Sequence, residues 1–387
     1  MTGLYIHVPF CIRKCPYCDF YSKPYSAELA ELYVNAVCRN VAALKRLDIT
    51  ADTVYFGGGT PSLLTAEQVY DILDSVQKNV HLHSPEITLE GNPSSLTYEK
   101  LAGYRAAGVN RLSVGVQSAD NSQLRFLERL HDADKAYAAV YAAQRAGFEN
   151  ISCDLMLGLA GQDIASLTAS IERLTDLPIT HLSAYMLKIE QGTAFDCEAV
   201  RGRVADDDLM SELYLTMCAQ LADKGFEHYE ISNFAKQGCR SRHNMKYWQL
   251  EKYIGIGPSA HSDFHEKRTA CPADIQAFVT ADVQKNVLIE ENIDRFEEYL
   301  MLALRLSDGV ENDELARRGG RDTAESIFAE ASAPTAIRHA SPKLVANSPI
   351  RIYGIFSKRS FLMSSCFFIV PAPSACSGPR RRVSPAL

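Results

Sequence analysis

Six short apolar or β-branched runs alternate with longer segments at helical spacing, and that alternation leaves the chain few folds to choose from. The runs are residues 4–9, 53–56, 86–89, 111–116, 151–156 and 181–187, each reading as a buried strand. Between them, residues 27–47, 66–78, 98–107, 133–146 and 164–174 read as helices. The first of these sets Leu29, Leu32, Tyr33, Ala36, Val37 and Leu44 on one face. Gly108, Gly147 and Pro178 punctuate the helix ends. Strand–helix repetition calls for a parallel sheet with right-handed crossovers and helices outside. Six such units either close partly, as a three-quarter barrel, or lie flat as a doubly wound sheet. In both cases ligands collect at the carboxyl ends of the strands.

The unusual residues sit at those ends. The first strand runs into Cys11-Ile12-Arg13-Lys14-Cys15-Pro16-Tyr17-Cys18, three thiols within eight residues. Soft thiolates suit zinc or an iron–sulfur cluster. A structural zinc site takes four protein ligands, usually as two CxxC pairs, and no second pair exists here. Three cysteines match a [4Fe–4S] cluster with one iron left for an exogenous ligand.

Composition narrows the setting. The chain has 387 residues, a formal net charge of -7 and 47% hydrophobic residues, which excludes wholesale disorder. The acidic balance speaks against a general nucleic-acid binder. No apolar run approaches the roughly 20 residues of a membrane span, and Met1-Thr2-Gly3-Leu4-Tyr5 lacks the basic and apolar regions of a secretory signal. A cytoplasmic protein is expected. Most of its eleven cysteines are then free thiols rather than a disulfide framework. After Glu330 the charge changes: eight Lys or Arg occur and no Asp or Glu. That tail gives little to bury. It reads either as a non-native C-terminus that never packs or as a basic segment for an acidic partner, and the first reading is preferred.

CxxxCxxC at the end of a first β-strand resembles the radical S-adenosylmethionine (SAM) superfamily. The resemblance implies a partial (β/α)6 TIM-like barrel, with Cys11, Cys15 and Cys18 holding a [4Fe–4S] cluster whose open iron takes SAM. Gly57-Gly58-Gly59-Thr60-Pro61, after the second strand, is similar to the family's glycine-rich SAM segment, where glycine permits close backbone approach. Further strand ends carry Glu90, Gln117 and Asp154, residue types that accept or donate hydrogen bonds to amine and ribose groups, and Arg129 follows as a partner for a carboxylate. By the same resemblance Tyr5, Gly58, Gly59, Thr60, Glu90, Gln117, Arg129 and Asp154 line the SAM pocket, Tyr17 packs on adenine and His7 lies near the cluster.

Within the superfamily the chain resembles the branch holding oxygen-independent coproporphyrinogen III oxidase and the heme chaperone HemW family. The oxidase motif continues to a fourth cysteine, whereas Cys18 is followed by Asp19-Phe20. The oxidase also carries an N-terminal extension, whereas here the motif begins at residue 11. Residues 229–235 (YEISNFA), 242–248 (RHNMKYW) and 253–262 (YIGIGPSAHS) are similar to the HemW pattern. That family implies a protein that binds heme and transfers it to client hemoproteins such as respiratory enzymes. It would also need an electron donor for the cluster. His243 is then a candidate axial heme ligand, with His261 and Cys239 as weaker ones. Peripheral membrane contact through clients and a homodimer are further expectations; nucleic acid is not. The alternative function is the oxidase's radical decarboxylation of propionates.

The expected division is a barrel over residues 1–200, a HemW-like extension with the heme segment over 201–290, a truncated helical domain over 291–325 and an atypical, disordered tail over 326–387. Ala160 stands where the family has proline, and the likeness fades near Gly319.

Overall fold

The structure, a computed structural model, describes residues 1–290, 293–310 and 312–331. The expectation of a disordered tail falls almost wholly outside these. Strand β1 (Thr2–Val8) leads into a two-residue pair, β2 (Phe10–Cys11) and β3 (Lys23–Pro24), which brackets the cysteine loop before α1 (Ala27–Ala43). Then follow β4 (Thr50–Gly58), α2 (Ala66–Asn79), β5 (His81–Gly91), α3 (Tyr98–Ala107), β6 (Arg111–Gln117), α4 (Asn121–Phe126), α5 (Ala133–Arg145), β7 (Asn150–Leu157), α6 (Ile164–Thr175) and β8 (His181–Met186). The short α7 (Glu198–Arg201) precedes α8 (Asp207–Asp223), which packs on α6 and closes the sixth unit.

Side-chain hydroxyls and carboxylates fix the helix starts. Ser26, Thr97 and Asp132 cap α1, α3 and α5, while Thr65 with Gln68 and Asp163 with Ser166 form capping boxes on α2 and α6.

β1, β4, β5, β6, β7 and β8 pair in parallel in that order, forming the partial barrel. Alternation along each strand sorts the side chains. Leu4, Ile6, Val54, Phe56, Leu112, Val114, Ile151 and Leu155 join the core shared with the helices. The opposite positions hold Tyr5, His7, Tyr55, Glu90, Arg111, Ser113, Asp154 and His181, giving a polar lumen inside an apolar shell.

The remainder extends the same sheet at both ends. β9 (Glu227–Glu230) and β10 (Asn233–Ala235) join β8 antiparallel. After α9 (Arg242–Trp248), β11 (Tyr253–Ile256) pairs in parallel with β1. β12 (His261–Phe264), β13 (Lys267–Ala270) and, after α10 (Ile275–Thr280), β14 (Val287–Glu290) continue outward antiparallel. α11 (Arg295–Ala303), α12 (Asn312–Gly319) and α13 (Arg321–Ala331) form a satellite core around Tyr299, Ala303 and Leu315. Ion pairs of Asp263 and Glu298 with Arg268 and Arg295 tie that helical unit to the β12–β13 hairpin.

Candidate functional site

β1 ends at Val8, and its direction delivers Cys11, Cys15 and Cys18 over the barrel mouth, all half-buried and free. Burial, with the neighbouring Cys15 and Cys11, pushes the Cys18 thiol up to about 11. Thr60 Oγ1 donates to Cys11 Sγ at 3.6 Å. Arg129 Nη1 donates to Cys15 Sγ at 3.4 Å and to Tyr17 Oη at 3.2 Å, and Nη2 to the Gly115 carbonyl at 2.8 Å. Its buried Nε has no hydrogen-bond partner among the described residues, leaving a donor for an incoming anion. Among the described residues no three His, Cys, Asp or Glu side chains converge as ligands of one metal ion. A cubane differs, because it distributes three thiolates over three irons. The donor set therefore fits a cluster of that kind: three thiols on one loop, supported by a cation and a hydroxyl.

The glycine segment has a second reason to be glycine. Gly58 adopts φ +105°, and a Cβ there would stand 2.5 Å from the His7 ring; at Gly59 a Cβ would stand 2.6 Å from the Phe10 carbonyl. Gly59 N–H instead donates to the Val8 carbonyl at 2.8 Å, stitching β4 to the strand that carries the cysteines. The chain's own packing requires these glycines, whatever ligand approaches them.

Below the mouth lie the carboxylates. Tyr55 Oη donates to Glu90 Oε1 at 2.7 Å, and burial pushes Glu90 up to about 7, against that hydrogen bond. Ser113 Oγ donates to Asp154 Oδ1 at 3.3 Å; burial pushes Asp154 up to about 6, opposed by hydrogen bonds from Ser113 and Ser183 and by the Arg111 charge. Gln117 ends β6 in the left-handed region at φ +70°, and its Nε2 lies over Gly115. Tyr5 Oη bonds to His7 Nδ1 at 3.1 Å, and burial lowers His7 to about 4. Tyr17 packs on Phe195, whose N–H donates to the Pro16 carbonyl at 3.1 Å. The structure thus gathers Tyr5, Tyr17, Gly58, Gly59, Thr60, Glu90, Gln117, Arg129, Asp154 and the three cysteines at one end of the barrel. Their neutral and charged acceptors suit an amine and ribose hydroxyls, and Arg129 suits a carboxylate.

His243 lies at the other end. It is carried by α9, which plugs the barrel beneath Gly3 and Thr53, and it is 1% exposed. Its Nδ1 is bonded to Thr53 Oγ1 at 2.8 Å and its Nε2 to Tyr247 Oη at 2.9 Å. Burial lowers it to about 3, and its ring stacks on Tyr55 at 5.1 Å. An axial ligand needs one ring nitrogen free toward the iron. In this structure His243 is a core histidine with both nitrogens engaged, so acting as the axial heme ligand expected from the sequence requires it to give up one of these hydrogen bonds. His261 is more accessible, and its Nδ1 has no partner among the described residues.

Sequence reading missed Tyr55 and Arg111. Each occupies an inward position of its strand, and a period-two reading of Thr53-Val54-Tyr55-Phe56-Gly57 or Arg111-Leu112-Ser113 carries the signal.

The model described as "Radical SAM superfamily" matches residues 5–174. The heme chaperone HemW of Bacillus subtilis (strain 168) is 33% identical over 370 residues, covering 91% of this chain and 95% of that protein. The mitochondrial radical S-adenosyl methionine domain-containing protein 1 of Bos taurus is 39% identical over 268 residues, which cover 68% of this chain and 61% of that one. Among solved structures, coproporphyrinogen III oxidase (HemN) from Escherichia coli, a radical SAM enzyme, matches with a TM-score of 0.73 over 87% of this chain and 83% of that one. At 20% identity that likeness speaks for the fold.

Proposed function

The chain belongs to the radical SAM superfamily and, within it, to the heme chaperone HemW family, and from that premise we propose that it binds heme and hands it to client hemoproteins. As a radical SAM protein it uses a [4Fe–4S] cluster and SAM. When bound, the cluster supplies one-electron chemistry toward SAM. The chain's own residues hold and orient: Cys11, Cys15 and Cys18 as thiolate donors, Arg129 across Cys15 and Tyr17, and Glu90, Asp154 and Gln117 as acceptors in a lumen that α9 covers at its far end. The observation that carries the heme reading is similarity to HemW proteins along nearly the whole length of both chains.

The oxidase fold match favours a second reading, decarboxylation of coproporphyrinogen III propionates. Against it stands Cys18-Asp19-Phe20, where the oxidase motif has a fourth cysteine. Clients are read as hemoproteins, respiratory enzymes among them, met at or near a membrane and in the cytoplasm; an electron donor and a homodimer complete the reading. Among the described residues no helix is long and apolar enough to cross a membrane.

The test uses anaerobically reconstituted full-length protein. Heme should be retained near stoichiometry and passed to an apo-hemoprotein, with no protoporphyrinogen formed from coproporphyrinogen III, SAM and reductant. Propionate decarboxylation would replace the chaperone reading with the oxidase one.

A further inference from the structure

Arg111 is a charge the site described above leaves unused. It opens β6, faces the lumen and is 2% exposed. Its Nε has no hydrogen-bond partner, and no carboxylate lies within ion-pair distance of it among the described residues. A guanidinium cannot shed its proton to escape burial, so its charge must be balanced by nearby fields. Arg111 pairs in register with Thr88, two residues before Glu90; Ser113, two residues on, pairs with Glu90 and donates to Asp154. Arg111 therefore stands one lumen layer, about 7 Å along the strand, beneath Glu90, and, pairing with Asn150 four residues before Asp154, two layers beneath that second carboxylate.

The groups facing it come from every side. They are Tyr55 of β4, Glu90 of β5, Asp154 of β7, His181 of β8, Tyr229 of β9 and His243 of α9, and each feels its charge. Glu86 of β5 is already engaged by the backbone N–H groups of Arg242 and His243 at 3.2 Å each. Arg129 acts on Asp154 from above.

We propose that Arg111 is a positioning residue of the SAM pocket, the buried cation that offsets the mutual repulsion of Glu90 and Asp154 from beneath. This rests on reading those two carboxylates as SAM acceptors. Like charges sharing a low-dielectric lumen hold protons on each other, and an opposite charge releases them. Burial already raises both acids into the neutral range; without Arg111 they rise further, and a protonated carboxyl is a poorer partner for an ammonium group.

SAM affinity measured by equilibrium dialysis from pH 5.5 to 9 on cluster-loaded protein tests this. Arg111→Met is expected to bind SAM about tenfold more weakly at pH 7, its profile displaced upward by about one pH unit, with cluster absorption unchanged. Arg111→Lys, which keeps the charge, is expected to hold the wild-type profile. Wild-type affinity and profile in Arg111→Met overturn the proposal, while weakened binding in Glu90→Gln or Asp154→Asn leaves the pocket reading standing. If those two variants also bind normally, the pocket reading falls and Arg111 with it. Should Arg111→Met fail to fold, the Lys variant decides, and a displaced profile in it overturns the proposal.

Discussion

At Cys15 the sulfur lies 3.4 Å from an Arg129 guanidinium that also reaches Tyr17 and Gly115. A planar fork spreads five donors over acceptors set well apart, whereas an ammonium must gather its three around a single nitrogen. Arg129→Lys should therefore keep the cluster's visible absorption but weaken SAM binding roughly tenfold or more, by about 1.4 kcal/mol for each tenfold. Cys15→Ala should abolish that absorption altogether, and an unchanged spectrum would remove Cys15 from the ligand set. At the far end of the lumen His243 behaves differently. Two buried hydrogen bonds and ring stacking are lost together in His243→Ala, which should cost about 2–4 kcal/mol in urea unfolding of heme-free protein. An unchanged midpoint would argue against its core role.

Among the elements, α9 is the one whose place depends most on distant residues. It is seven residues long, too short to hold by itself, so its stability comes from the barrel it closes. Glu86 of β5 accepts the Arg242 and His243 N–H groups, Ser241 accepts the Asn244 N–H, and Lys246 pairs with Asp52 at 2.8 Å and Glu251 at 2.6 Å. Arg305, beyond α11, stacks on Trp248 at 4.3 Å and pairs with the buried Glu230. Glu86→Ala should raise amide hydrogen exchange across residues 242–248 several-fold while leaving α5 protected, since a lost helix cap is worth about 1 kcal/mol. Uniform exchange across both helices would show that α9 opens only with the whole barrel. Helices on the outer shell were legible in detail: α2, α3 and α6 match their sequence periodicity to within a residue or two. α1 departs at Leu32, which is 48% exposed, because Ala30, Val34 and Val41 supply the buried face instead.

For the whole molecule, buried titratable groups set the response to pH. Burial lowers His7, His131, His181, His228, His243 and His261, His7 and His131 to about 4 and His243 to about 3. These stay neutral in the fold while the unfolded chain gains protons, so their contribution is present above about pH 6.5 and is lost as pH falls. Glu90, Asp154 and Glu230 are raised and act in the opposite sense, gaining stability as pH falls toward about 4.5. Histidines outnumber carboxylates, so the net slope between about pH 6 and 4.5 should be a loss, on the order of 1–4 kcal/mol per pH unit. Thermal unfolding of the apo protein from pH 8 to 4.5 checks the sign, and a melting temperature that rose on acidification would contradict it.

The sequence by itself determined the order of strands and helices, the cysteine loop at the end of β1 and the glycine turn after β4. Each follows from local rules: alternation, helix caps, and thiols too close in sequence to be apart in space. What it could not decide was which inward-facing polar residues share a layer. Register sets Arg111 under Glu90, and the sheet's curvature closes the lumen around both. Nor could it decide the surroundings of His243, which the sequence offers only as a candidate heme ligand within residues 242–248. Only tertiary structure shows α9 returning to the start of β1 and β4, where Thr53 and Tyr247 occupy both imidazole nitrogens. A histidine's availability is a property of its surroundings, and those surroundings come from strands nearly two hundred residues away.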